Sequence, residues 1–164
     1  MTQKIKYAII ILLAATLAVI GYFRDFAFVN INYKMESIYY HKYEFKLPTA
    51  LSFLDNFSYS QLYYLKYTLT FFSILGYLIV SLLIVFLYFK ENKYVKIVFF
   101  SYLIVTLVSC LAFLTLIIFT NYNTAFFSAR KILEIIESPV LIMILFPILI
   151  FKEILDKKHI HEKR

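Results

Sequence analysis

The chain has 164 residues, of which 62% are hydrophobic and 16% charged, with mean hydropathy +0.78 and a formal charge of +7. Soluble domains run at about 45–50% apolar and about 25% charged, so this composition excludes a soluble or disordered chain and leaves an integral membrane protein. Two Gly, three Pro and one Cys exclude Gly-rich phosphate loops, a disulfide framework and a Cys-based zinc or redox centre.

A spanning helix needs roughly 20 mainly apolar residues, and four stretches approach that length. The first is 7–23, preceded by Lys4 and Lys6 and ended by Arg24-Asp25. It has the charge and length of a signal peptide, but no small-x-small cleavage site follows Gly21-Tyr22-Phe23, so it reads as an uncleaved span. Within it Ala14, Ala18 and Gly21 share one small-residue face that suits close helix packing.

The segment 24–66 reads as an aromatic-rich extracytoplasmic loop, since Tyr and Phe favour the membrane–water interface. Phe26 to Tyr33 has β-type content with imperfect alternation, and Leu47-Pro48-Thr49 reads as a break before a short helix through Leu54. Ser58-x-x-Gln61 has the form of a capping box and predicts the start of the next helix.

The second and third spans are 67–89 and 97–120, joined by Lys90-Glu91-Asn92-Lys93. Cys110 falls midway along the third and reads as a packing residue. No histidine can reach it, because His41 is in the loop and His159 and His161 are in the tail 152–164. The fourth span, 132–151, contains Pro139 and Pro147 and is uncharged only from Ser138 to Phe151.

Ten of the 17 Lys and Arg residues lie in the N-terminal segment, the turn at 90–96 and the tail, and seven lie in 24–66 and 121–131. The denser set belongs on the cytoplasmic side, so both termini are predicted inside. The fold expected is therefore an all-α polytopic membrane protein, a four-helix transmembrane bundle forming one domain.

Arg130, Glu134 and Glu137 recur at i, i+4, i+7 and share a helix face. Carboxylates in hydrocarbon cost roughly 2.5–3.5 kcal/mol each, so they should face a cation. With Lys131, and with Arg24 and Asp25 leaving the first span at the same depth, they form an expected outer-leaflet polar cluster. Three roles remain open for it: structural ion pairs, boundary charge, or handling of a proton or substrate. No span shows a coherent polar stripe through its centre. No catalytic constellation, cofactor motif or metal-ligand set emerges, and the positive charge is distributed as topology signals rather than as a nucleic-acid patch.

Three pieces are similar to small four-span inner-membrane proteins of Bacteroidota of the exosortase F system-associated type. They are Leu65-Lys66-Tyr67, the turn Phe89-Lys90-Glu91-Asn92-Lys93-Tyr94-Val95-Lys96, and Pro139 to Pro147 preceded by Arg130-Lys131. The resemblance implies an inner-membrane accessory or scaffold subunit, with an exosortase-type sorting enzyme as partner and no catalytic residues of its own. The chain is not itself such an enzyme, because Cys110 is at the wrong depth. The alternative function is a small transporter or channel using Glu137 as its intramembrane carboxylate.

Overall fold

The computed structural model describes residues 3–41 and 45–162. Within these ranges the side chains at 122, 123, 126, 127, 129, 130 and 157–162 lie outside the described set. Among the described residues 89% are helical and none is in a strand.

Helix α1 runs from Gln3 to Tyr40 without a break. It does not stop at Arg24-Asp25, and the β-type segment Phe26 to Tyr33 is helical. The physical reason is visible in the chain, where neither Gly nor Pro occurs between Gly21 and Pro48. Leu17, Gly21, Arg24, Phe28, Ile31 and Met35 also recur at alternating intervals of four and three, a coiled-coil seam that buries one side of the helix. Leu17, Phe28, Ile31 and Met35 on that seam are buried. The helix ends where His41 turns left-handed, at φ 49°, with its N–H donating to Ser37 O at 3.1 Å.

Helix α2 spans Tyr59–Phe89 and opens with the expected capping box. Ser58 N donates to Gln61 Oε1 at 2.8 Å, and Gln61 N donates to Ser58 Oγ at 3.4 Å. Between α1 and α2 lies a 3-10 helix, Thr49–Leu54, just beyond Pro48.

α1 and α2 are antiparallel over their whole length. Lys6 Nζ donates to Tyr88 O, Gly21 faces Tyr77, Lys66 Nζ donates to Asn32 Oδ1, and the Tyr39 and Tyr59 rings approach to 6.1 Å. At 1.5 Å per residue α1 is about 57 Å long and α2 about 46 Å. A hydrocarbon core is about 30 Å thick, so the pair projects well past it at the end away from Lys6. That projecting end has its own core of Ile31, Met35, Leu47, Leu54 and Leu62.

The turn Lys90-Glu91 reverses the chain, with Lys90 left-handed at φ 57°, into α3, Asn92–Phe119. Helix α4, Tyr122–Ile136, begins after Asn121, whose side chain accepts from Thr124 N at 2.9 Å. It packs chiefly on α3. Helix α5 is Val140–Glu162.

The expected single helix 132–151 is thus two helices separated at 137–139. Pro139 has no N–H to give Ile135 O, and the Ser138 hydroxyl donates there instead at 3.2 Å. Pro147 sits inside α5 without ending it. Tyr77, Ile84 and Val85 of α2, Tyr94, Val98 and Tyr102 of α3, and Ile136, Leu141 and Leu149 of α4 and α5 share the main core with Leu17. Among the described residues three helices, α1, α2 and α3, are long and apolar enough to cross a membrane. The chain is built for a lipid bilayer.

Candidate functional site

Two charged layers bracket the main core. At one end Lys6 reaches Tyr88 O at 2.7 Å and its ammonium lies 5.1 Å from the Tyr88 ring centroid. Nearby Lys93 pairs with Glu91 at 3.0 Å and with Asp156 of α5 at 3.3 Å, which ties α5 to the α2–α3 turn. At the other end lies Arg24, eighteen residues or about 27 Å along α1 from Lys6.

Arg24 occupies a seam position of α1, so its long side chain is directed into the bundle. Its Nη1 donates to the backbone carbonyl of Glu137 and lies 3.7 Å from Glu137 Oε2. Its Nε lies 3.3 Å from Asp25 Oδ1. The Glu137 side chain is 8% exposed and that of Arg24 17%, whereas Asp25 is 70% exposed. The guanidinium also stands 5.7 Å from the Phe28 ring, which has Lys66 5.9 Å from its centroid as well.

The arrangement follows from the break at 137–139. A helix end leaves carbonyls without intrahelical donors and carries a partial negative charge. Glu137 is the C-cap of α4, so its carbonyl and its carboxylate both call for a cation, and Arg24 supplies one to both. A buried carboxylate without such compensation would be costly at this depth. Chemically, the site holds an ion pair across three helices and closes the kink against α1.

Of the six residues in the expected polar cluster, Arg24, Asp25 and Glu137 come together. Lys131 and Glu134 are exposed on α4. Glu137 keeps the α4 register, its N–H donating to Leu133 O, and at 100° per residue the two stand about 120° and 60° round the helix from it. The side chain of Arg130 lies outside the described residues. The small-residue face also divides. Gly21 touches Tyr77, where an added Cβ would lie 2.8 Å from the Tyr77 hydroxyl, while Ala14 and Ala18 are exposed. At 100° per residue they stand about 60° and 100° round the helix from Leu17, outside the seam. Cys110 is exposed on α3 rather than packed, and its neighbour Ser109 is buried.

The sequence reading passed over a set of buried hydroxyls. Tyr77 and Ser81 of α2 and Tyr102 of α3 are buried, and Ser81 Oγ lies 3.0 Å from Tyr102 Oη. Tyr77 and Ser81 are four apart on the buried face of α2. That spacing was the available signal, but uncharged hydroxyls do not stand out as a stripe in an apolar run.

A second feature is the tyrosine cluster on the projecting end. Tyr39, Tyr40, Tyr59, Tyr63, Tyr64 and Tyr67 are all exposed, and Tyr63 and Tyr67 share a hydroxyl contact of 2.8 Å. A cleft is lined by Tyr59, Ser60, Tyr63 and Tyr64. Beneath it the connection is pinned by Asp55, which accepts from Leu47 N at 3.1 Å and pairs with Lys34 at 3.3 Å. These two contacts, the backbone N–H first, hold the Asp55 carboxyl below its ordinary range.

Comparison with known proteins matches no family model, no curated protein and no solved structure.

Proposed function

We propose that this chain is a non-catalytic accessory or scaffold subunit of a bacterial envelope complex. It crosses the inner membrane four times, with α4 and α5 as one kinked crossing and both termini in the cytoplasm. The observation that carries this reading is the α1–α2 pair, which runs past bilayer thickness, is braced by its own small core, and displays six exposed tyrosines. Aromatic residues of this kind are over-represented at the centres of protein interfaces. The resemblance to exosortase F-associated proteins makes an exosortase-type sorting enzyme the first partner to test.

The charge distribution supports the orientation, since the layer of Lys6, Lys90, Lys93 and Lys96 lies with the basic tail on the denser side. Purification of the tagged full chain in mild detergent is the test. Co-recovery of a membrane partner, reduced by charge substitutions at Tyr63 and Tyr64, is expected. Recovery of the wild-type chain as a lone monomer would overturn the proposal.

The burial of Glu137 near the far edge of the hydrocarbon favours a second reading, a small transporter or channel using that carboxylate. Glu137→Gln separates the two in proteoliposomes. It abolishes flux under the transport reading, whereas under the scaffold reading there is no wild-type flux to lose and the change acts on folding and assembly.

A further inference from the structure

Asp25 holds a position that the pairing of Arg24 with Glu137 does not explain. Its side chain is 70% exposed, and its one partner among the described residues is Arg24 Nε, at 3.3 Å and without a hydrogen bond. The guanidinium itself is turned into the bundle toward Glu137. Asp25 thus stands on the outside of α1, with exposed Tyr22 before it and exposed Val29 after it on the same face.

What surrounds that face follows from its depth. The bond from Lys6 to Tyr88 O and the Phe89–Tyr94 ring contact of 4.4 Å set α1, α2 and α3 level at one end. From there, at 1.5 Å per residue, exposed apolar and aromatic side chains continue for about 34 Å on α1, to Val29, about 32 Å on α2, to Tyr67, and about 37 Å on α3, to Phe119. A tilt of about 20° brings that surface close to a hydrocarbon core of about 30 Å. Asp25 lies about 28 Å along α1, short of the outer limit on all three helices. The Lys66 to Asn32 contact at the edge is about 10 Å further out. The aspartate side chain is short, and its Cα–Cβ bond tilts toward the helix N-terminus, here away from the near edge. It therefore cannot reach out to the headgroups as a lysine would.

A carboxylate facing hydrocarbon is costly and calls for a cation. Lipid tails supply neither charge nor a hydrogen bond. A second copy packed on this face about a two-fold axis would set Asp25 against Asp25. We propose that the Asp25 face of α1 binds a membrane-spanning helix of another protein, and that this helix carries a lysine or arginine at the depth of Asp25. The inference rests on the subunit reading above and adds to it a second contact, within the membrane and of defined chemistry. The charge pair sets the register of the incoming helix, and a helix without the cation is rejected because it leaves Asp25 uncompensated.

Photo-crosslinking of the full chain in its native membrane tests this, with p-benzoyl-phenylalanine in place of Val29, one turn from Asp25, or in place of Tyr64 on the projecting end. The expected adduct at Val29 is a peptide from a spanning segment of another membrane protein, with a Lys or Arg in that segment. Its yield should fall about tenfold in Asp25→Asn, for a lost charge pair of ordinary strength, and return in Asp25→Glu. Adducts at Val29 with lipid or with a second copy, or a yield indifferent to Asp25→Asn, overturn the proposal. If a protein adduct forms at Tyr64 in that case, the subunit reading stands without this contact, whereas absence of a protein adduct at both sites overturns both. Should Asp25→Asn also lower the Tyr64 adduct, exchange of the charges decides: Asp25→Lys with the partner's cation changed to Asp restores the Val29 adduct, and failure to restore it overturns the proposal.

Discussion

Arg24 and Glu137 join α1 to the kink between α4 and α5, so their coupling measures what holds that kink. At 3.7 Å and an effective dielectric constant near 20, two unit charges attract by about 4.5 kcal/mol. Desolvation of both groups consumes part of that attraction, and removing one partner of a buried pair costs about 3–5 kcal/mol. The two single changes should differ. Arg24→Met leaves the buried carboxylate without the guanidinium and removes the donor to the Glu137 carbonyl, so it should reach the upper part of that range. Glu137→Gln keeps that carbonyl bond and leaves Arg24 its contact with Asp25, so it should fall at or below the lower limit. The double variant should cost less than the sum, with a coupling energy of about 0.5–3 kcal/mol. Reversible unfolding in mixed micelles, followed by far-UV circular dichroism, gives all four corners of the cycle. Additive costs, or Glu137→Gln the more damaging single change, would refute the argument that this pair closes the kink.

Gly21→Ala places a methyl against the Tyr77 hydroxyl, 2.8 Å from it, and should cost about 1–3 kcal/mol through overpacking; adding Tyr77→Phe should recover part of that in the same unfolding assay. Ser58→Ala removes the N-cap acceptor of α2 and should cost about 1 kcal/mol, with faster amide exchange confined to its first turn. Asp55 is held below its ordinary value of 3.8, so its contribution is complete above about pH 4 and is lost as the pH falls through the lowered value. The protection of amides at 45–57, taken relative to their intrinsic exchange rates, should therefore fall on acidification below that point, and Asp55→Asn should remove that fall.

The helical class, the apolar stretches, the capping box at Ser58 and the break after Leu47 were legible because each rests on local chemistry: hydropathy, a hydroxyl three residues before Gln61, a proline. The course of 24–40 was not. Its Arg, Asp and Tyr residues resemble a boundary and loop by composition, and the rule that charges end a span assumes that the helix ends with the membrane. What carries α1 onward is a tertiary seam, with Phe28, Ile31 and Met35 packing beside α2. A seam at intervals of four and three can be read from the letters once Arg24 is admitted to it. Treating Arg24 as a boundary residue hid the pattern.

The same residue decides how the candidate site had to be reached. Spacing placed Arg130, Glu134 and Glu137 on one face of a helix, and α4 keeps its register as far as Glu137, whose N–H donates to Leu133 O, before Ser138 and Pro139 end it. Because α4 ends there, the Glu137 carbonyl is a C-cap group beside a buried carboxylate, and its cation comes from a helix more than a hundred residues earlier. Long-range pairing of this kind has no local signature. It follows from physical necessity, since a carboxylate and an uncapped carbonyl buried together require a donor bearing positive charge. Of the Lys and Arg residues whose side chains are described, Arg24 alone pairs with Glu137, from a seam position at the depth of the break. Arg24 enters the site on that ground and brings Asp25 with it, whereas Lys131 and Glu134, grouped with Glu137 by helical face, stand exposed on α4.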